Sequence, residues 1–438
     1  MKIQKKILVI GPYPILRPQH GGQKRAAALV EFYGNVFSSV KYTSVFHRGQ
    51  YPEWGEDDAP LGEITIINQI DAAPYASELL SGSAIDKDIH VRSFLSKLLT
   101  EFKPDIIHIE QPFAYLGLKT LLKELGLSPK LIFGSQNVEY VLKERIFKEL
   151  QVPNEVAAKL VAQTKQLEEN LSKEADLVIA VNEEDASTHR EMGARECYVI
   201  PNGINKDVPL QKDVRFWKSY MKKVGVEKVI IFVGSGHPPN WEGFLKLVGT
   251  DTTFMPPGSK IFVVGGVAAY FDRAFSSKDK YKNFWSRLET LGGLSEERLT
   301  ALLSICDIVL LPILTLRGSN LKTAEAIASQ KKIVSTSHAF KGFEKYKDLP
   351  NLFVADEPTA FRDNIVRALN AAYEAPSLGD AELSRGVLWE SCLRPLEPLV
   401  RKIARSINLE RTNPMVALRR INRKTKATLR KVANRLRA

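Results

Sequence analysis

The sequence predicts an α/β protein made of two doubly wound parallel-sheet domains, and three observations lead there. Short β-branched runs alternate with longer amphipathic segments along most of the chain, as in βα units feeding a sheet buried on both faces. These runs fall into two series, separated near Pro201 by a Pro-Asn-Gly turn signal and a charged connector. Finally, 438 residues with 44% hydrophobic and 26% charged side chains suit two or three globular domains rather than a disordered or fibrous chain.

Taken in order, residues 7–10, 64–67, 106–109, 131–133, 177–181 and 198–200 read as the strands of the first series. Helical patterns over 23–32 and 155–174 lie among them. Residues 229–233, 261–264, 308–311, 333–335 and 352–354 read as the second series, alternating with helices around Leu245 and over 296–306, 322–329 and 361–373. The predicted organisation is an N-terminal domain over 1–205, a second domain over 206–385, a partly helical segment over 386–412 and a tail over 413–438. In the third segment Trp389, Leu393, Leu396 and Val400 are expected to pack on the body, with Pro395 and Pro398 interrupting any helix. A cleft between the two sheet domains is the expected ligand site.

Charge separates the body from the tail. The formal net charge is +12, yet residues 401–438 hold thirteen Lys and Arg against one acid, Glu410, and the rest of the chain is balanced. Three cysteines without CxxC spacing argue against a disulfide scaffold or a structural zinc site, and fit a reducing, cytoplasmic setting. The longest apolar runs are far shorter than a membrane span. The N-terminal run is broken by Pro12, Pro14 and Arg17, and reads as a first strand rather than a leader.

The most informative stretch is Asp307-Ile-Val-Leu-Leu-Pro312 followed by Arg317-Gly318-Ser319-Asn320-Leu-Lys322-Thr-Ala-Glu325. A buried strand ends, a Gly-Ser-Asn loop follows, and a helix begins with Ser319 or Asn320 as its cap. Lys322 then lies in the first helical turn, where the helix dipole disfavours a cation. A local rule broken at the carboxyl end of a strand points to a ligand that supplies negative charge. Loop amides, helix N-terminus and ammonium together suit a diphosphate. Glu325 shares the helical face and suits ribose hydroxyls; the blander reading of both residues is an exposed Lys-Glu pair.

Two glycine loops follow strands in the same way. Gly21-Gly22 precedes a helix, either as a close-approach loop for phosphate or sugar or as a plain turn. Gly234-Ser235-Gly236 follows the first strand of the second series, with His237 and Asn240 just beyond; it reads as a phosphate loop or as loop structure alone. Gly11-Pro-Tyr-Pro lacks the dinucleotide fingerprint, which disfavours an NAD enzyme.

These stretches, together with Lys103-Pro-Asp-Ile-Ile-His108, Ser135-Gln136-Asn137-Val-Glu139, Ala175-Asp-Leu-Val-Ile-Ala-Val-Asn182, Val199-Ile-Pro-Asn-Gly-Ile204 and Gly292-Gly-Leu-Ser-Glu296, occur in an order that resembles the nucleotide-sugar-dependent glycosyltransferases of family four. The resemblance covers roughly residues 5–400 and implies the two-domain GT-B fold. It implies a nucleoside diphosphate sugar as co-substrate, retention of anomeric configuration, no cofactor and no obligatory metal. It also implies that Gly234, Ser235, His237, Arg317, Gly318, Ser319, Asn320 and Lys322 face the donor diphosphate and sugar. Glu325 would hold the ribose, the backbone around Leu294 would border the base, and Gly21 and Gly22 would face phosphate or acceptor.

Three departures from the family pattern matter. Relatives often carry an Arg and a Lys in the loop where Ser235, His237 and Asn240 stand. Arg317 occupies the place of a glutamate that contacts the sugar, and a cation cannot accept the same hydrogen bonds. Gln136 stands where a histidine is common and cannot act as a base, which leaves His108, at the end of a neighbouring strand, as the substitute candidate, or else as an ordinary strand-end histidine. Gln136 and Asn137 are then expected to hydrogen-bond sugar or acceptor.

Asp86-Lys-Asp88 matches a metal-binding DxD in form only, because it precedes a helical pattern instead of following a buried strand, and Glu56-Asp-Asp58 reads as a solvated loop. In the tail, Leu418, Ile421, Thr425, Leu429, Val432 and Leu436 form one narrow stripe flanked by cations such as Arg419, Arg423 and Lys431. Residues 414–438 therefore read as a basic amphipathic helix suited to an anionic membrane surface, or to a partner; the absence of aromatics disfavours nucleic acid. The whole is expected to be a hexosyl-type glycosyltransferase, peripheral on the inner face of the cell membrane. Its acceptor is expected to be a cell-envelope, polysaccharide or lipid-linked glycan. A non-catalytic GT-B scaffold that binds nucleotide or glycan is the alternative.

Overall fold

The computed structural model describes residues 1–61, 77–314, 321–372 and 377–412. The chain divides into two compact units, one formed by Met1–Pro201 together with the chain from Leu393 onward, the other by Asn202–Cys392. Each is a parallel sheet flanked by helices on both faces, the arrangement that βα alternation dictates.

In the first unit the strands β1 (Ile3–Gly11), β2 (Phe37–His47), β3 (Ala59–Leu61), β4 (Ile106–Glu110), β5 (Lys130–Ser135), β6 (Leu177–Ala180) and β7 (Cys197–Val199) lie in the order β3-β2-β1-β4-β5-β6-β7. All pairs are parallel; β1 meets β4 with Val9 opposite His108 and Ile10 opposite Ile109. Ile7, Leu8, Val9 and Ile10 are fully buried, because helices cover both faces of this central strand. The strand order reverses between β1 and β4, so the loops after these two strands diverge and leave a crevice at the carboxyl edge.

The second unit has β8 (Lys228–Val233), β9 (Ser259–Val264), β10 (Leu288–Gly292), β11 (Ile308–Leu311), β12 (Lys332–Ser335) and β13 (Leu352–Val354) in the order β10-β9-β8-β11-β12-β13, again parallel. Neighbouring residues point to opposite faces. Ile231 packs with Trp217, Phe262, Leu302 and Ile327 on one side, while Ile230 packs with Phe244, Phe271, Phe284 and Ile365 on the other. The order here reverses between β8 and β11.

The strands not anticipated are β2, β3 and β10. β2 reads FSSVKYTSVFH, with four half-buried residues near its start, and β10 is an edge strand whose Glu289 and Thr290 are half-buried. Neither has the continuous apolar run of a strand buried on both faces. β3 carries Pro60, which suits an edge. The expected strand over 64–67 lies outside the described residues.

The C-terminal segment differs from expectation in one respect. Leu396–Thr412 is a continuous helix, with Leu396 and Val400 fully buried and Ile403, Ala404 and Ile407 on the same face. Pro395 precedes it and Pro398 falls in its first turn, where no intrahelical N–H bond is needed. Trp389 belongs to the second unit, and Leu396 and Val400 to the first. Among the described residues no helix is long and apolar enough to cross a membrane. The basic tail over 413–438 lies outside the described residues.

Candidate functional site

Both carboxyl edges bear sequence-predicted residues. In the second unit β8 runs out at Val233 into Gly234-Ser235-Gly236, and His237 begins the helix Pro238–Leu247. The His237 side chain is exposed and makes no capping bond. On the other side of the reversal, β11 leads toward the helix Leu321–Ser329, which places Lys322 in its first turn.

The two loops meet through Asn240. Its Oδ1 accepts a 2.5 Å hydrogen bond from Lys322 Nζ, and its Nδ2 donates to Ser235 O and Ser235 Oγ, both at 3.0 Å. Burial pushes the Lys322 ammonium down to about 8, and the negative charge of Glu325 on the same helix opposes that shift only in part. A half-hidden cation at a helix N-terminus, with a neutral amide as its hydrogen-bond acceptor, is an electrostatic deficit that an anion corrects. The structure thus brings Ser235, Lys322 and Glu325 to one edge. Leu294, in the loop after β10, is half-buried against the Trp217 side of the core. Arg317, Gly318, Ser319 and Asn320 lie outside the described residues.

The edge of the first unit is organised differently. Gly21-Gly22 opens the helix Gly21–Val36, which His20 caps: its side chain accepts from Gln23 N, and the Gln23 side chain accepts from His20 N. Gly22 lies close under two side-chain ends: a Cβ there would stand 2.4 Å from Tyr13 Oη and 2.8 Å from Gln136 Oε1, and would displace them. Gln136 is buried, and its Nε2 donates to Tyr13 Oη and, at 3.5 Å, to Gly22 O. Tyr42 Oη in turn donates to Tyr13 O at 2.5 Å. Gln136 therefore braces the segment after β5 against the connection from β1 to the first helix. Asn137 is half-buried, its Nδ2 at 3.5 Å from Glu139 Oε1 and its carbonyl accepting from Ser135 Oγ at 2.8 Å.

His108 does not sit on this edge as a base open to substrate. It is fully buried, with Nδ1 2.7 Å from Tyr33 Oη, and burial together with the Arg25 charge holds its pKa down at about 3. A ring that stays neutral and covered braces the interior. The decoys are also resolved. Asp88 caps the helix Ile89–Phe102 by accepting from His90 N and Val91 N, and Asp86 pairs with Arg92 at 3.5 Å. Asp58 is half-buried, not simply solvated: it accepts from Ser44 Oγ at 2.6 Å, and burial raises its pKa. Among the described residues no group of three or more His, Cys, Asp or Glu is placed to hold a metal ion.

Sequence reasoning missed two polar pairs behind the first edge. Arg25 and Glu110 form a fully buried ion pair at 3.0 Å, and Arg25 Nη1 also donates to Ile200 O. Burial raises the Glu110 pKa, while Arg25 and Gln136 pull it back. Glu168 accepts from Glu139 N at 2.8 Å and Tyr140 N at 2.9 Å, closing the start of the helix Glu139–Glu149. Burial raises both carboxyls, Glu139 to about 7 and Glu168 to about 8. The available signals were a charged residue ending the apolar strand IIHIE and an arginine among the alanines of the first helix.

Comparison with known proteins fits this architecture. Residues 59–208 match the family described as Glycosyltransferase Family 4, and residues 227–371 match Glycosyl transferases group 1. No curated protein sequence matches the chain. Among solved structures, a sucrose-phosphate synthase from Thermosynechococcus elongatus aligns with TM-score 0.65 at 15% identity, over 91% of this chain and 99% of that one. HepE from Anabaena, in complex with UDP and glucose, aligns with TM-score 0.61 at 13% identity, over 91% and 100%. A glycosyltransferase from Rickettsia africae aligns with TM-score 0.61 at 15% identity, over 91% and 98%. At such identities the structural likeness speaks for the fold, and the two matched families supply the class. The chain belongs to the family four-like glycosyltransferases with the GT-B fold.

Proposed function

We propose that this glycosyltransferase moves a hexosyl group from a nucleoside diphosphate sugar to a glycan acceptor, with retention of configuration and without an obligatory metal or cofactor. The observation that carries this reading is the Lys322 ammonium, half-buried in a first helical turn and hydrogen-bonded to the neutral Asn240. A diphosphate leaving group supplies the charge that this cation lacks, and preorganised donors at a leaving group are a large source of rate enhancement. Ser235 and the start of the helix Leu321–Ser329 add donors from the same edge, where Gly234 and His237 also stand. Glu325 takes the ribose, and the loop at Leu294 borders the base. The segment with Arg317, Gly318, Ser319 and Asn320 completes the diphosphate cradle.

The acceptor is a cell-envelope, polysaccharide or lipid-linked glycan, held by the first unit near Gly21, Gly22 and Asn137. The basic amphipathic pattern over 414–438 supports a cytoplasmic protein held peripherally on an anionic membrane face. Co-sedimentation of the full chain and of a 1–412 truncation with anionic vesicles tests the anchor. Equal partitioning of the two would refute it.

A second reading is a non-catalytic scaffold that binds nucleotide or glycan. The engagement of Gln136 with Tyr13 and Gly22 favours it, since no base stands at that position. Screening UDP-, GDP- and ADP-sugars for thermal stabilisation and for transfer or slow hydrolysis separates the two. Turnover establishes the enzyme, saturable binding without turnover across glycan acceptors establishes the scaffold, and no binding sinks both.

A further inference from the structure

We propose that Asn240 is the positioning residue of the donor site, fixing the Lys322 ammonium with its amide oxygen and the Ser235 loop with its amide nitrogen, so that both side chains donate to the diphosphate. This rests on the donor-site reading above and deepens it.

The orientation of the amide follows from elementary hydrogen-bond inventory. An ammonium only donates, so the oxygen of Asn240 must face Lys322 Nζ, which stands 2.5 Å away. The NH₂ group must then face Ser235, where both contacts are 3.0 Å. Flipping the amide would set donors against donors. Because Ser235 Oγ accepts from Asn240, its own hydroxyl hydrogen turns away from that contact, and Ser235 is exposed at the loop. A serine that accepts from behind donates forward. One neutral side chain thus polarises two donors toward the same ligand oxygens.

Neutrality is the chemical point. A carboxylate at position 240 would hold the lysine equally well, but would cancel the charge that attracts a diphosphate. The amide orients without cancelling. Glu325 is the charged side chain whose field bears on this lysine.

The backbone holds Asn240 to the task. It lies in the first turn of the helix Pro238–Leu247, with its N–H donating to His237 O at 3.0 Å. One turn on, Gly243 lets the helix rest on the loop after β11, since a Cβ there would stand 2.0 Å from Pro312 O. That contact brings the β8 and β11 loops together at the strand-order reversal and leaves one amide to span them.

The test begins with the ligand-free full chain. NMR of isotope-labelled lysine side chains follows Lys322, whose signal is assigned by its loss in Lys322→Met. Its titration midpoint moves down in Asn240→Ala and up in Asn240→Asp, by about one unit each. A midpoint unmoved in both variants overturns the proposal, whether or not a nucleotide binds. UDP, GDP and ADP are then titrated by calorimetry, with the matching nucleosides as controls. Asn240→Ala weakens the diphosphate that the wild type binds by about ten-fold, and the nucleoside much less. Equal weakening of nucleoside and diphosphate means general loop damage and also overturns it. If the wild type binds none of the three while the midpoints move as stated, the positioning role stands and the donor reading alone falls.

Discussion

At the carboxyl edge of the seven-stranded sheet, Arg25 and Glu110 neutralise one another in full burial, and Gln136, Tyr13 and Gly22 satisfy each other. At the carboxyl edge of the six-stranded sheet, Lys322 is also hidden, yet it leans on a neutral amide. The two edges have like ancestry in βα loops and opposite treatment of charge. A buried charge neutralised on site is a fixed part of the fold; a half-buried charge only partly compensated, as Lys322 is by Glu325, raises the energy of the empty protein and lowers it when an anion arrives. On the donor-site proposal the contrast gives the first cluster a structural role and the second a ligand-binding one, and each reading is open to attack.

The largest effect is expected from the neutralised pair. Arg25→Met leaves the fully buried Glu110 carboxyl without its cation and lowers the unfolding free energy by about 3–5 kcal/mol in denaturant titration. Replacing both residues by methionine recovers part of that loss. A single variant that costs less than about 1 kcal/mol would break the comparison at its stronger end.

Lys322 should move stability in the opposite direction. Its folded pKa of about 8 lies below the ordinary 10.5, so the stability linked to it is full above that ordinary value and is lost as pH falls toward 8. At pH 7, Lys322→Met therefore raises thermal stability, by on the order of 2 kcal/mol, while diphosphate affinity falls about 30-fold. Wild-type affinity should also decline as pH rises through about 8, where the ammonium loses its proton. A destabilised variant with unchanged affinity would make Lys322 another structural cation.

Acid titration sharpens the same contrast within the first unit. His189 is buried between Ser172 Oγ at 3.0 Å and Ser135 Oγ at 2.7 Å, and burial holds its pKa at about 4. Stability linked to it is present above the ordinary value of 6.5 and lost as pH falls, reaching about 2 kcal/mol at pH 5. His108 acts in the same direction. His189→Gln should flatten the slope of melting temperature between pH 6.5 and 5, and an unchanged slope would mean that the unfolding chain does not sense this ring.

What could be read from the sequence follows from how local each signal is. β11, residues 7–10 within β1 and residues 229–233 within β8 are continuous apolar runs that need no tertiary information, and in β4 only His108 interrupts the run before Glu110. β10 lacks such a run because it packs at an edge. The placement of Lys322 in a first helical turn was legible because the strand end and the start of the next helix are local signals. Asn240, by contrast, stood out only as a substitute for family residues, because its partner is 82 positions away. Arg25 and Glu110 are 85 positions apart, and no window of sequence pairs them. His108 was expected at a strand end, but β4 runs on to Glu110 and leaves it in mid-strand, and its cover, Tyr33 from the first helix, could not be read.

The smallest effect concerns the acids that mimic a metal motif. Asp88 accepts two backbone N–H groups at the start of the helix Ile89–Phe102, and Asp86 pairs with Arg92, so both carboxylates of the DxD pattern are engaged by the protein itself. Asp88→Ala should cost about 1 kcal/mol through loss of the cap. It should leave sugar transfer unchanged with or without added divalent cation. A role in holding a metal–diphosphate complex would instead abolish transfer with little change in melting temperature, and would move the negative charge of the donor site from the ligand of the second unit to the acids of the first.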